Sequence, residues 1–533
     1  MADIIYRYAP FLAIAVPVIF AIHAAVSSKR SNGSISHIPG PPSPSWLLGN
    51  LLQIQLPDDY GQYENVWRKL YGGVYRFKGA FGRDRLMVSD VAALHHILNG
   101  DDFDFSPVYE TLFHWLFGAR SFVARKGNDH RLLRAAFNPA FTAASVKKYQ
   151  KTFEQVAEKI SDTLDSASEL PSVDISPIMS CATLTSVCEA IFGCSVESLG
   201  EDFIGTNHQV MALSASQSPG QILADEFASL GLIPHSILRA SLSFLPGKLF
   251  GLLRANAAYA RREGTRLVRE KLGGGGQEKS DEMDIYARVL NANCRDEQNA
   301  SSDARITSED VISQTQIMII GGQDTTANAL TWTLVELARH PVLQEELRAE
   351  LLDAQAHNTS YDNLPLLNGT IKETLRLYPT APFTYRIALR DTVIPLSPHS
   401  SLHFTDNDKP ITAIPIRKGQ LVTLSMAGYQ RMESRWGLDS DTYDPRRWVD
   451  PARLPQGGAI GPYANLLTFS SGPHHCLGWR FAVLEMQVFI AEMVRRFVFT
   501  IPEGARISAR YANTLIPVDE KGVKRAVLAV TKA

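Results

Sequence analysis

Three stretches of this sequence carry residue types that do chemistry, at spacings a tight loop or a helix can use. The first is 469-FSSGPHHCLGWRFA-482, in which Cys476 follows His474 and His475 and precedes a helical apolar pattern running to Phe497. A thiolate at a helix N-terminus is stabilised by the unpaired N–H groups of the first turn and by the helix dipole. Gly472-Pro473 before the cysteine and Gly478 after it permit a tight loop whose N–H groups aim at sulfur. Several roles compete for such a cysteine. As a zinc site, the adjacent His474, His475 and Cys476 cannot easily converge on one ion, and no second Cys/His cluster completes the set. A nucleophile needs a positioned base and an oxyanion site, neither of which the sequence shows. A thiolate ligand and a small buried apolar cysteine both remain open on this stretch alone.

The second stretch is 321-GGQDTT-326, inside an apolar pattern that starts at a capping-box-like Thr307 and Asp310 and runs to about Arg339. One helix over that span is about 48 Å long, and its residues are apolar almost all round, so it is expected to be buried. Two glycines in a helix interior cost about 1 kcal/mol each relative to alanine. Gly321 and Gly322 let something bulky approach the backbone, with Asp324 and Thr325 at the point of approach. A Thr side chain that bonds back to a carbonyl bends the helix and opens a groove. The plain alternative is a packing kink with Asp324 paired to a neighbouring element; the functional one is a proton-delivery pair beside a cofactor.

The third is 370-TIKETLRLYP-379, where Glu373 and Arg376 share one helical face at i, i+3. Most such pairs are solvated and contribute little. Arg447, in the turn-rich 443-YDPRRWVDP-451, supplies a second arginine, and a Glu between two Arg side chains clamps that meander to the helix. The role is structural.

These pieces need a large α-rich body to position them, and 533 residues with 45% hydrophobic and 20% charged content supply one. A net charge of −2 gives no global reason for nucleic-acid binding. Five cysteines without CxxC spacing argue against a disulfide framework. Residues 9–26 are apolar apart from His23, and those 18 residues reach about 27 Å, enough to cross a bilayer core. Lys29 and Arg30 follow, so residues 1–30 are predicted to be an uncleaved single-pass anchor with the body on the cytosolic side. Residues 31–50, with 38-IPGPPSPSWLLGN-50, form a stiff non-helical hinge, and residues 51–533 form the catalytic domain. A hairpin is expected at 73–90, a surface loop at 272–306, short strands from about 380 to 470, and a strand in the tail. There is no GxGxxG or Walker-type loop.

Together these segments resemble the cytochrome P-450 superfamily of haem-thiolate monooxygenases, of the membrane-anchored, eukaryotic and fungal-looking type. Phe469, Gly472, Cys476 and Gly478 match the haem-loop pattern Phe-x-x-Gly-x-Arg-x-Cys-x-Gly, but His474 stands in the Arg slot and His475 in a variable one. The oxygen-activation pattern is met by 321-GGQDTT-326, the Glu-x-x-Arg pattern by Glu373 and Arg376, and the early-helix Arg by Arg134, with His130 in place of the commoner Trp. The resemblance implies a mainly α fold with small β regions, a long central helix over a haem, and an N-terminal transmembrane anchor. It implies haem b (iron-protoporphyrin IX) with Cys476 as axial ligand, a bond type that favours O–O cleavage. Gly321 and Gly322 then admit dioxygen, Thr325 hydrogen-bonds it, Asp324 relays protons, and His130 and Arg134 hold the propionates. A histidine at 474 offers a propionate fewer donors and no permanent charge, so looser haem retention is expected.

The resemblance also places the substrate chamber in 102–122 and just after Pro379, which points to Tyr109, Phe113, Trp115, Phe117 and Phe383 and to a lipophilic substrate. Residues 230–253 read as an amphipathic patch that touches membrane lipid. With no flavin or nicotinamide motif, electrons come from NADPH through a separate NADPH-cytochrome P-450 reductase at the endoplasmic reticulum membrane. Lys147, Lys148 and Arg480 are candidates for its docking face. The implied reaction inserts one atom of O2 into a terpenoid or related secondary-metabolite intermediate. A fatty-acid or xenobiotic hydroxylase, or a haem-binding sensor without turnover, are the alternatives.

Overall fold

The computed structural model describes residues 34–214, 217–230, 233–273, 284–295, 306–398, 411–455 and 459–533. The anchor expected at 9–26 lies outside the described residues. The fold is mainly helical with small sheets, and the chain divides into two compact units.

The first unit (1–109, 218–238 and 383–429) is built on a five-stranded sheet. Alternating β-formers around the turn at Gly79–Gly82 give the expected hairpin, Val74–Lys78 antiparallel to Asp84–Val88, with Tyr75 opposite Met87. Asp84–Val88 then runs parallel to Leu421–Ser425, and the sheet continues through Phe383–Ala388 to the edge strand Phe103–Phe105. Every residue of Asp84–Val88 and Leu421–Ser425 is buried, as central strands covered on both faces require. The proline-rich segment docks on this sheet: Arg76 N donates to Pro39 O at 2.9 Å and Arg76 Nε to Ile38 O at 3.0 Å.

The second unit (110–217, 239–382 and 430–533) is helical. Its axis is the helix Thr315–Arg339, whose 25 residues make it about 38 Å long. The capping box at Thr307 and Asp310 forms with both arms, but it starts a separate short helix, Ser308–Ile312. The single helix expected from 307 is therefore interrupted. The cause is tertiary: the fully buried Gln314 side chain accepts from Phe122 N at 3.0 Å and donates to Arg120 O at 2.9 Å and Asp310 O at 2.8 Å. The surface loop expected over 272–306 also needs correction, because Ile285–Arg295 is a helix. Ile285, Tyr286, Val289 and Leu290 sit at helical spacing and are buried, which outweighs the Gly- and Ser-rich flanks. The tail strand Val527–Lys532 pairs antiparallel with Phe497–Thr500 and with Val173–Asp174.

Among the described residues one helical stretch is long and apolar enough to cross a membrane, Ile175–Phe192. It is 67% buried in the fold and packs along Thr315–Arg339. That packing separates the two glycines. A Cβ on Gly322 would lie 2.5 Å from Val187 Cγ2, so the close helix–helix approach needs glycine there. A Cβ on Gly321 would meet nothing nearer than Ile317 Cδ1 at 3.8 Å. Gly322→Ala is expected to destabilise by about 1–3 kcal/mol through overpacking. Gly321→Ala, at no steric cost, gains up to about 1 kcal/mol of helix propensity. Urea unfolding of the two variants checks the opposite signs.

Candidate functional site

Tertiary bonds set the cysteine loop before the helix that follows it begins. Leu467 N donates to Gln430 Oε1 at 2.7 Å, and Thr468 Oγ1 donates to Leu375 O at 2.6 Å. The chain then turns through Ser470 at φ 59° and Gly472 at φ 71°, where glycine avoids the strain a side chain meets in the left-handed region. Cys476 N donates to Phe469 O at 2.8 Å, and Gly478 caps the helix Trp479–Arg496. Phe469 packs edge-on against Tyr463 and tilted against Trp479. Burial pushes the Cys476 thiol up, while the Gly478 N–H and the Arg134 charge pull it down. Yet the Cys476 side chain is exposed by accessible surface. Protein surrounds the cysteine closely enough to desolvate its thiol, and part of the residue stays exposed.

The helix Gly127–Phe137 brings His130 and Arg134, one turn apart, onto this loop. The His130 and His474 rings stack at 4.0 Å between centroids and 29° between planes. Burial, then the charge of Arg134, push His130 down to about 4, so the ring is neutral at neutral pH. Arg134 Nη1 donates to His475 O at 3.0 Å, and Arg134 Nη2 lies 3.0 Å from His475 Nε2. His475, the residue in the variable slot, is thus bonded to Arg134 by both its ring and its carbonyl.

The helix Thr315–Arg339 carries the second set. It continues through 321–326 without a break in the helix. Thr325 Oγ1 donates back to Gly321 O at 2.6 Å. The helix is buried except on a narrow stripe, and Ile317, Gly321, Gly322 and Thr325 form the half-buried part of that stripe at its centre. Asp324 is 8% exposed and is paired: Lys524 Nζ donates at 2.7 Å, Asn328 Nδ2 at 3.1 Å and Thr514 Oγ1 at 3.5 Å. The carboxylate thus has the neighbouring partner that the packing alternative expects, without the kink, and Thr325 is the next residue of the helix. Lys524, 200 residues away in sequence, has no local signal that could have found it.

Glu373, Arg376 and Arg447 come together, and the Glu373–Arg376 pair, of a kind more often solvated, is wholly enclosed. Side-chain exposure is 0% for both Glu373 and Arg376. Glu373 accepts from Arg376 Nε at 2.8 Å and Nη2 at 2.7 Å, from Trp448 Nε1 at 2.9 Å and from Asp444 N at 3.0 Å, with Arg447 Nε at 3.5 Å. Arg376 also donates to the Gln430, Ser440 and Thr442 carbonyls, and Arg447 to Trp436 O and Asp439. Desolvation lowers the Arg376 pKa, with Glu373 acting against it. Trp448, Asp439 and Gln430 complete the cluster, and sequence reading missed all three.

The aromatic candidates fall in both units. In the first, Tyr109 packs edge-on against Tyr385 at 5.5 Å, and Phe383 is a buried strand residue. Arg386, which sequence reading did not single out, lies 4.0 Å above the Phe105 ring. In the second, Phe113 meets Phe117 at 6.2 Å, and Trp115 packs edge-on against Phe250 at 5.6 Å while its Nε1 donates to Arg239 O at 3.3 Å.

The family model for cytochrome P450 matches residues 39–524. The chain is 29% identical to cytochrome P450 monooxygenase claU of Ampulloclitocybe clavipes, over 90% of the chain and 88% of that protein. It is 30% identical to cytochrome P450 monooxygenase 219 of Postia placenta, over 92% of each, and 28% identical to monooxygenase 205 of the same fungus, over 92% of the chain and 90% of that protein.

Removing one partner of a buried ion pair strands the other charge. Arg376→Met is therefore expected to lower stability by about 3–5 kcal/mol or to prevent folding. Lys159→Met, which breaks the exposed Lys159–Glu189 pair, should change it by no more than about 0.5 kcal/mol. Urea unfolding and soluble yield of the two variants check the contrast.

Proposed function

The chain belongs to the cytochrome P450 family of monooxygenases, and from that premise we propose that it hydroxylates a lipophilic intermediate of secondary metabolism, of the terpenoid class. The observation that carries the reading is Cys476: an exposed cysteine just before a helix start, with the Gly478 N–H and the Arg134 guanidinium beside it.

The family implies a haem-thiolate iron, and the residues present fit one. The cysteine is exposed, the Gly478 N–H and the Arg134 charge favour its thiolate against burial, and Gly321 leaves room at the half-buried stripe of the central helix. When bound, the haem supplies the reduction of dioxygen and the oxidising equivalent for C–H hydroxylation. In this reading Cys476 is the iron ligand, and Phe469 and Gly472 shape its loop. His130, His474 and Arg134 form the polar wall for the propionates. Thr325 hydrogen-bonds the oxygen substrate once its hydroxyl leaves Gly321 O. Asp324 carries a proton toward Thr325, and Lys524, 27% exposed, connects that carboxylate to solvent. Gly322 serves helix packing, which its contact with Val187 supports.

Electrons come from NADPH through a separate reductase, for which Lys147, Lys148 and Arg480 remain the proposed docking residues. Residues 1–30 are the proposed anchor in the endoplasmic reticulum membrane, followed by the hinge (31–50) and the catalytic domain (51–533). The exposed Ile237, Phe244 and Leu249 support membrane contact by the 230–253 patch. Tyr109, Phe113, Trp115, Phe117 and Phe383 are the proposed chamber residues, and Trp115 is tied to Arg239 through its Nε1.

With reductase, NADPH and a panel of lipophilic candidates, substrate-dependent NADPH consumption with oxygenated product is expected. No consumption with any candidate would favour a haem-binding sensor. Thr325→Ala should keep consuming NADPH while product formed per NADPH drops about tenfold or more; unchanged coupling removes Thr325 from proton delivery. His474→Arg restores a charged donor and should retain haem about tenfold longer on dilution, checked by the haem-to-protein absorbance ratio over time.

A further inference from the structure

His475 occupies a slot that the haem-loop pattern leaves variable, yet both of its ring nitrogens are engaged. Nδ1 lies 2.8 Å from Gly472 O, and Nε2 lies 3.0 Å from Arg134 Nη2. A carbonyl only accepts, so Nδ1 carries the proton; a guanidinium only donates, so Nε2 must be the acceptor. The two partners therefore select one neutral tautomer, and the ring becomes a bridge between Arg134 and Gly472. Arg134 grips the same residue a second time, through Nη1 to His475 O at 3.0 Å. A planar guanidinium held at two of its nitrogens has little freedom left to rotate.

The bridge spans the part of the loop that has to be rigid. Gly472, at φ 71°, is where the chain reverses, and His475 N donates to its carbonyl at 3.1 Å. Gly472 O thus receives both the backbone and the ring of His475. The next residue is Cys476, whose own N–H is tied to Phe469 O at 2.8 Å. The other end of the bridge is anchored in the helix Gly127–Phe137, through the buried Arg134. Without the His475 ring Arg134 keeps its bond to the His475 carbonyl, and the guanidinium is free to pivot.

We propose that His475 is a positioning residue for the iron-binding cysteine: acting through Arg134, it ties the His130–Arg134 helix to the cysteine loop and fixes the guanidinium beside Cys476. The inference rests on the haem-thiolate reading of that cysteine. The two side chains of the double histidine thus have separate duties: His474 stacks on His130, and His475 holds Arg134.

The test uses the haem-loaded full chain with His475→Leu, His475→Gln, His475→Asn, Arg134→Lys and the His475→Leu/Arg134→Lys double variant. The readouts are haem transfer to excess apomyoglobin and the ferric/ferrous midpoint potential. His475→Leu and Arg134→Lys should each lose haem about tenfold faster, as expected for a lost hydrogen bond to a charged group. The double variant should be no worse than the poorer single, because both remove one bridge. His475→Gln keeps an acceptor near the Nε2 position and should stay within about threefold of the parent. The His475→Leu potential should move negative as the fixed cation near sulfur loosens. Parental haem loss and potential in His475→Leu, or single effects that multiply in the double, would overturn the proposal. If His475→Leu does not fold, the amides decide. Asn retains only the Gly472 side of the bridge and Gln only the Arg134 side, so faster loss from Asn supports the proposal and equal loss overturns it. A parent that takes up no haem overturns the haem reading itself, and this inference with it.

Discussion

A carboxylate with no access to water has to be answered by donors, and Glu373 is answered by Arg376, Trp448, the Asp444 N–H and, at longer range, Arg447. That requirement organises the helical unit. Arg376, itself fully enclosed, spends its remaining donors on the Gln430, Ser440 and Thr442 carbonyls and so folds the meander onto the helix Pro365–Leu377. Gln430 passes the constraint on. Its Nε2 donates to the Leu375 and Arg376 carbonyls, and its Oε1 accepts from Leu467 N and Thr468 Oγ1 at the start of the cysteine loop. The cysteine inherits its position from a salt bridge it never touches. A buried network of this kind is weak evidence of net stability, but each member is costly to remove alone.

The chemistry is divided between two kinds of backbone. On the loop side, left-handed turns at Ser470 and Gly472 aim Cys476 and the Gly478 N–H, and Arg134 adds a fixed charge. On the helix side, one narrow half-buried stripe interrupts an otherwise enclosed rod, and the only ionisable group next to it, Asp324, is held by Lys524 among the described residues. In the proposed reading, the Thr325 hydroxyl, which here donates to Gly321 O, is the group that turns to the oxygen substrate.

How far the residues disclose this depends on the range of the forces involved. The cysteine loop is legible because its left-handed turn at Gly472 favours glycine, and the capping box at Thr307 is legible because its two bonds are local. The hairpin at 74–88 follows from alternation and turn residues. What fails is long-range. The break at Gln314 comes from Arg120 and Phe122, the separate duties of Gly321 and Gly322 from Val187, and the partner of Asp324 from a lysine near the chain end. Glu373 and Arg376 were readable as a pair but not as a buried one, since i, i+3 spacing is the same on either face of a helix. The helix Ile285–Arg295 was missed because its glycine- and serine-rich flanks carried the reading. His475 was passed over because a pattern that tolerates any residue says nothing about what the one present does.

The central claim is that Cys476 binds haem iron as a thiolate. The most direct measurement is the absorption spectrum of the reduced carbon monoxide complex of the purified chain. A Cys476 thiolate on the iron gives a red-shifted Soret band that is lost in Cys476→Ser. An unshifted band in the parent, or a red-shifted band that survives Cys476→Ser, would contradict it.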